Sequence, residues 1–311
     1  MKKANTVSIK NKAIELGFDA IGIAQAAEIS EDITRAFISW IQNKGHADMA
    51  YMENNLEKRL NPKLLVEGAR SIIVVALNYY PRQTQKADQP QFSYYAYGED
   101  YHEILKEKLN SLYTYINNEI TETSGRCFVD TAPILERYWA AQAGIGFIGK
   151  SNMLIIPKKG TFFFLGFLIV DLELEYDSPI QSRCGACTRC IDNCPTKALS
   201  PYYLDSNKCI SYLTIENRNE IPDSYSKYFG KQLYGCDICQ KVCPWNRFAT
   251  PTHIKEFTPK EIILRIDPSM LESMKQEDFS RYFKGSPVKR TKFAGLKRNW
   301  ELIRDNFGQD E

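Results

Sequence analysis

The segment spanning 183–199, RCGACTRCIDNCPTKAL, carries cysteines at 184, 187, 190 and 194, with Pro195 directly behind the last. A shorter echo, GCDICQKVCPWN at 235–246, holds Cys236, Cys239 and Cys243 before Pro244. Three cysteines at spacing three wrap one corner of an iron–sulfide cube, and a fourth beyond that reach serves a second cube. The second run is one cysteine short, and Cys209, upstream in NKCISYL, is free to fill the vacancy. Eight thiolates then serve two [4Fe–4S] clusters. One takes Cys184, Cys187, Cys190 and Cys243; the other takes Cys194, Cys209, Cys236 and Cys239.

This is the bacterial ferredoxin spacing, and it outweighs the zinc alternative, since closed zinc sites rarely use C-x2-C-x2-C-x3-C-P. The rest of the chain agrees with a reduced compartment. The N-terminus, MKKANTVSIKNKAIELG, has lysines but no apolar stretch behind them, so it does not read as an export signal. The longest apolar run, FFFLGFLIV at 162–170, is about half of what a spanning helix needs. A cytosolic protein with no membrane partner is expected, and there a cysteine pattern means metal rather than disulfides. Only Cys127 lies outside the cysteine-rich segment, and it reads as an inert buried thiol.

The 311 residues suggest more than one unit. Residues 1–180 alternate helical and strand-like stretches: helix over 7–16, strand over 18–24, helix over 32–43, and a buried β-branched strand over 71–80. A polar loop covers 83–91, Asp100 caps a helix over 101–121, and 126–130 is a short strand. Pro133 opens a helix to about 143, an extended piece follows within 144–160, and a long buried strand covers 161–174. Residues 181–250 have too little apolar periodicity for a core of their own and need inorganic staples. The fold class expected is α+β. An N-terminal α/β domain (1–180) precedes a ferredoxin-like two-[4Fe–4S] domain (181–250) and a helical basic segment (251–311). Net charge is only +2, so any nucleic-acid surface must be local. Residues 281–304 supply one, with eight Lys or Arg against Glu301.

The clusters move electrons, so the N-terminal domain must hold the place where they are used. GIGFIG (144–149) has the letters of a dinucleotide loop but follows a helix and leads into an extended stretch, which is the wrong context. VDTAPILERYW (129–139) offers Asp130 in two roles, as cap of the following helix or as a general acid at a strand end; its residues alone leave both open. In the capping reading Glu136 and Arg137 are surface residues. DYHEIL (100–105) half-matches a cobalt-ligating histidine pattern but lacks its glycine and reads as an ordinary helix start. His46 and His253 show no partner, and the tyrosines of 92–102 read as core.

Taken together, YMENNLEKRLNPKLLVEGARSIIVVALNYY, YGEDYH, VDTAPILERYWAAQAGIGFIGKSNMLI, CGACTRCIDNCPTKAL, CISYLTIE, GCDICQKVCPWN and GSPVKRTKFAGLKRN resemble the epoxyqueuosine reductase family across 49–299. The resemblance implies cobalamin beside the two clusters, a fold similar to reductive dehalogenases, and removal of the epoxide oxygen from epoxyqueuosine at the tRNA wobble position. It makes Asp130 the proton donor, with a pKa raised by burial. On that basis Arg59, Tyr97, Lys150, Ser151, Asn152, Met153 and Ser211 are expected cofactor contacts, besides Asp130. Lys284, Lys289, Arg290, Lys297 and Arg298 are expected to hold tRNA phosphates. Many members continue past RN into a helical-repeat domain; this chain stops twelve residues after Asn299. A monomer served by an external low-potential electron donor is expected. A corrinoid dehalogenase and a plain electron carrier are the competing readings.

Overall fold

The computed structural model describes residues 1–307. The last four residues of the basic segment lie outside the described part. Four strands, β1 (Ala20–Gln25), β2 (Ser71–Asn78), β3 (Gly125–Phe128) and β4 (Phe163–Val170), form one sheet in the order β1-β2-β4-β3. β2 reads SIIVVALN and is buried along its whole length, as a central strand covered on both faces must be. Every pairing in the sheet is antiparallel. The N-terminal part is therefore α+β like the whole, not the α/β type expected for it, because antiparallel neighbours need no helical crossover.

Alternate residues of β2 face opposite cores. Ile73, Val75 and Leu77 pack with Ile9 and Ala13 of α1 (Lys2–Glu15) and with Leu105, Leu109 and Leu112 of α2 (Tyr101–Tyr115). Ile72, Val74 and Ala76 pack with Trp139 and Ala140 of α3 (Glu136–Gln142). Gly22 of β1 lets α3 come this close: a Cβ there would stand 2.0 Å from the Ala143 carbonyl oxygen. Asp100 caps α2 through the His102 amide, as its position predicts.

A third core gathers Phe92, Ala96 and Tyr97 with α4 (Ile210–Ile215), α5 (Lys292–Ile303) and the apolar residues between them. A parallel pairing of Gln91–Phe92 with Gln232–Tyr234 stitches the early segment into this late core. Among the described residues, no helix is long and apolar enough to cross a membrane.

Candidate functional site

Asp130 sits just past β3 with φ of 49°, a left-handed conformation that costs a non-glycine residue about 1 kcal/mol. Two tight turns follow, Thr131 N–H to the Val129 carbonyl at 2.6 Å and Ile134 N–H to the Ala132 carbonyl at 2.8 Å. α3 therefore starts at Glu136 rather than at Pro133, and Leu135 at its N-cap makes no side-chain cap. Neither Asp130 nor Thr131 caps it, because the Asp130 carboxylate is engaged elsewhere. Its Oδ2 accepts from Tyr101 Oη at 2.9 Å and meets His102 Nε2 at 3.2 Å. His102 Nδ1 in turn meets Asp100 Oδ1 at 2.6 Å. The Asp130 amide donates to Glu136 Oε1 at 2.8 Å.

The carboxyls of Asp130 and Glu136 are pushed apart. Burial opposes ionisation of Asp130, but hydrogen bonds from His102 and Tyr101 outweigh it and hold the group below its usual range. This reverses the raised value expected of a lone general acid. Burial, then the neighbouring Asp130 charge, push Glu136 up to about 8, so Glu136 is no ordinary surface residue. At His102 burial works against the charge, but the bonds to Asp100 and Asp130 win and raise the ring to about 9. Tyr101, Asp130, Glu136, Arg137, Met153 and Phe163 line a small cavity of about 120 Å3 that opens to solvent.

A hairpin of Phe147–Ile148 and Leu154–Ile155 separates this cavity from a second of about 240 Å3. Lys150, Ser151, Ile155 and Trp245 line the second cavity together with Cys184, Cys187, Cys190 and Cys243. Cys184 and Cys187 lie close enough for their charge to be felt at Cys190, and all three are felt at Cys243. Cys194 is felt at Cys209 and both are felt at Cys236, while Cys239 feels Cys236, Cys209 and also Cys190. The first of the two quartets read from the spacing thus shares one cavity. Among the described residues, no three His, Cys, Asp or Glu side chains converge as around a single ion. Burial lifts the Cys236 thiol to about 12, so a cluster must displace protons to form.

The remaining expected residues divide. Met153 lines the Asp130 cavity, and Lys150 and Ser151 line the cluster cavity. Lys150 Nζ also donates to the carbonyls of Gly185 at 2.6 Å and Cys187 at 3.1 Å, tying the hairpin to the first cluster loop. The Asn152 carbonyl accepts from Arg137 at 2.6 Å. Arg59 is buried beneath Tyr51, donating to its carbonyl at 3.0 Å, with Nε unpartnered. Tyr97 is a correction: it is fully buried in the third core and its hydroxyl is tied to Gln85, away from both cavities. Ser211 belongs to the second cluster, where its amide faces the Cys209 sulfur.

Arg298 is also corrected. Its guanidinium donates to the carbonyls of Leu213, Asn217 and Asn219 at 2.8–2.9 Å, a structural clamp with nothing left for a phosphate. Lys284, Lys289 and Lys297 are exposed. Arg290 is gripped by both oxygens of Glu216 and lies 6.0 Å from the Tyr51 ring, near enough to be felt at Asp130. His46 and His253, without partners in the sequence reading, meet Glu53 at 2.8 Å and the Gly17 carbonyl at 3.2 Å. The sequence reading missed Tyr101, His102 and Glu136 as site residues. The one signal was the polar DYH at a helix start.

Residues 59–131 match the family model described as epoxyqueuosine reductase QueG, DUF1730, and residues 183–246 match a 4Fe-4S double cluster binding domain. The epoxyqueuosine reductase of Cellulophaga algicola is 46% identical over 304 residues, covering 97% of this chain and 99% of that protein. A crystal structure of an epoxyqueuosine reductase with an epoxyqueuosine-modified tRNA-Tyr stem loop superposes with a TM-score of 0.87 at 31% identity, over 97% of this chain and 81% of that one. The Bacillus subtilis enzyme, with an aspartate-bearing catalytic loop swung out of its active site, matches equally well at 29% identity, over the same shares of each chain. A catabolic reductive dehalogenase shares the fold at a TM-score of 0.52 and 18% identity, over 96% of this chain and 38% of that one. Nearly full-length identity to the first of these, on a fold that carries the same cluster domain, places the chain in the epoxyqueuosine reductase family.

Proposed function

We propose that the protein reduces epoxyqueuosine to queuosine at the wobble position of tRNA, using two [4Fe–4S] clusters and cobalamin, with Asp130 as proton donor. The observation that carries this reading is the placement of Asp130 on the wall of one cavity, a single hairpin away from the Cys184 quartet. Residues 1–180 hold the corrin and the chemistry, 181–250 the clusters, and 251–311 contact tRNA.

The residues present suit a large polar cofactor. Lys150 and Ser151 on one side of the hairpin and Met153 on the other would hold it, and the unpartnered Arg59 Nε offers a donor. All three histidines are turned to protein partners, which suits a metal face left without an imidazole. When bound, cobalamin supplies a low-valent metal nucleophile, and the clusters feed it electrons one at a time.

Converting an epoxide to an alkene takes two electrons and two protons and releases water. The chain's part is to position the oxygen and protonate it. Asp130 Oδ2 is fixed by Tyr101 and His102, and the Glu136 bond fixes its backbone, so the proton is delivered from a defined point. Phe163, Phe164 and Leu165 line the same cavity and exclude water from the reacting bond. Lys284, Lys289, Arg290 and Lys297 hold phosphates around the anticodon loop. An external low-potential donor reduces the clusters of a cytosolic monomer.

Incubating reconstituted, cobalamin-loaded protein and a reductant with an epoxyqueuosine anticodon stem loop should yield nucleosides lighter by one oxygen. Asp130→Asn should lower that rate by about 10^2–10^4-fold with iron and cobalamin retained. Full turnover in that variant refutes the donor role.

A further inference from the structure

The start of α2 brings Asp100 and His102 onto Asp130 in a chain of short contacts. Asp100 Oδ1 meets Nδ1 at 2.6 Å, and Nε2 meets Asp130 Oδ2 at 3.2 Å. An imidazole with a carboxylate on each nitrogen has two acceptors to satisfy, and only the doubly protonated ring does so. The ring stacks on Tyr101 at 4.1 Å, and Tyr101 stacks on Phe164 at 4.1 Å, so the ring plane is locked. The His102 side chain is 30% exposed and that of Asp130 55%, so the ring keeps a path to solvent when substrate in the cavity covers Asp130.

We propose that Asp100, His102 and Asp130 form a proton relay, with each proton of the reduction entering at His102 and passing through Asp130 to the departing oxygen. This rests on the reading of Asp130 as the group that touches that oxygen. At rest His102 carries the proton and Asp130 is ionised. Nε2 passes its proton to Oδ2, and Asp130 gives it to the epoxide oxygen as the first C–O bond breaks, leaving a hydroxyl. Neutral His102, held at Nδ1 by Asp100, takes a proton from solvent. The second transfer converts the hydroxyl to water as the second C–O bond breaks. Two protons and the two electrons from the clusters complete the balance. His102 thus acts through Asp130 and never meets the substrate. The charged groups that face this chain are Asp100 beside the ring, Asp130 and Glu136 across the cavity, and Arg290, which acts on it through Asp130.

The relay explains how an aspartate held below its usual range can donate protons at neutral pH: the store is the ring, raised to about 9. The test uses the full-length, cluster-loaded protein. The chain has only three histidines, so nitrogen-15 spectra of histidine-labelled protein resolve each ring. His102 should stay charged to about pH 9, and Asp100→Asn should lower that midpoint by about one unit or more. Single-turnover rates on the modified stem loop should fall at alkaline pH with the same midpoint. His102→Gln should lose about 10–100-fold and lose that alkaline limb, with iron content unchanged. A wild-type ring that titrates below 7 overturns the relay, even if the variant fails to fold. So does a His102→Gln rate loss that leaves the alkaline limb in place, since that marks a purely structural ring. If Asp130→Asn keeps its full rate, the donor reading falls first, which is a separate result.

Discussion

The cysteine-rich segment and the Asp130 corner solve the same problem, holding reactive groups at fixed separations, by opposite means. In 183–246 the groups are close in sequence, and the regular structure between them is four- and six-residue helices and two- and three-residue strands. Their order comes from what they bind. At the Asp130 corner the groups come from the starts of α2 and α3 and the loop after β3, and they are aligned by a sheet that is buried before any cofactor arrives. One region is organised by its ligand and the other is organised for its ligand. A region of the first kind should collapse when the ligand is lost, and one of the second kind should survive.

The strongest test is removal of a cluster ligand. Cys239→Ala should cut iron from about eight to about four atoms per chain, abolish turnover and expose 183–246 to protease, while 1–180 resists. Iron and sulfide analysis with limited proteolysis reads this, and an intact cysteine segment would break the contrast. Next is the hold on Asp130. Glu136→Ala removes the acceptor for its amide and should slow single turnover by about 10–100-fold, with faster hydrogen exchange over 129–135. Glu136→Gln keeps an acceptor and should retain most of the rate. Gly22→Ala wedges β1 from α3 and should cost about 1–3 kcal/mol in denaturant unfolding, with iron content unchanged.

Arg298 and Lys289 sharpen the comparison on the basic side. Arg298→Met strands three carbonyls and should cost about 1–3 kcal/mol. Lys289→Met should leave stability alone and reduce the slope of tRNA affinity against salt by about one. A further test concerns pH. The Glu136 carboxyl has a folded pKa of about 8 against 4.5 when free, so its contribution to stability is complete below 4.5 and lost as pH rises through about 8. Glu136→Gln has no such loss, so its Tm relative to the parent should climb across that window and then level off.

The contrast also explains what could be read in advance. The cluster quartets were legible because each ligand set is written largely in short spacings, with only Cys209 and the two crossing cysteines reaching further. The central strands were legible because SIIVVALN and FFLGFLIV are apolar throughout. The contacts that surround Asp130 were not, since Asp100, His102, Asp130 and Glu136 meet only after β3 and α2 pack on the sheet. The residues around Asp130 leave a helix cap and a general acid both open, and the left-handed turn at that residue takes its carboxylate away from α3. Arg298 looked like a phosphate contact because charge is visible in a sequence and the carbonyls that use it are not.

The parallel pairing of Gln91–Phe92 with Gln232–Tyr234 bears on how the chain is made. Phe92 and Tyr97 are synthesised early, yet their neighbours in the third core include Trp300 and Ile303. During translation these aromatic side chains must wait, uncovered, until about two hundred further residues have been made. Deleting residues 292–303 should therefore harm folding as far upstream as Phe92 and Tyr97.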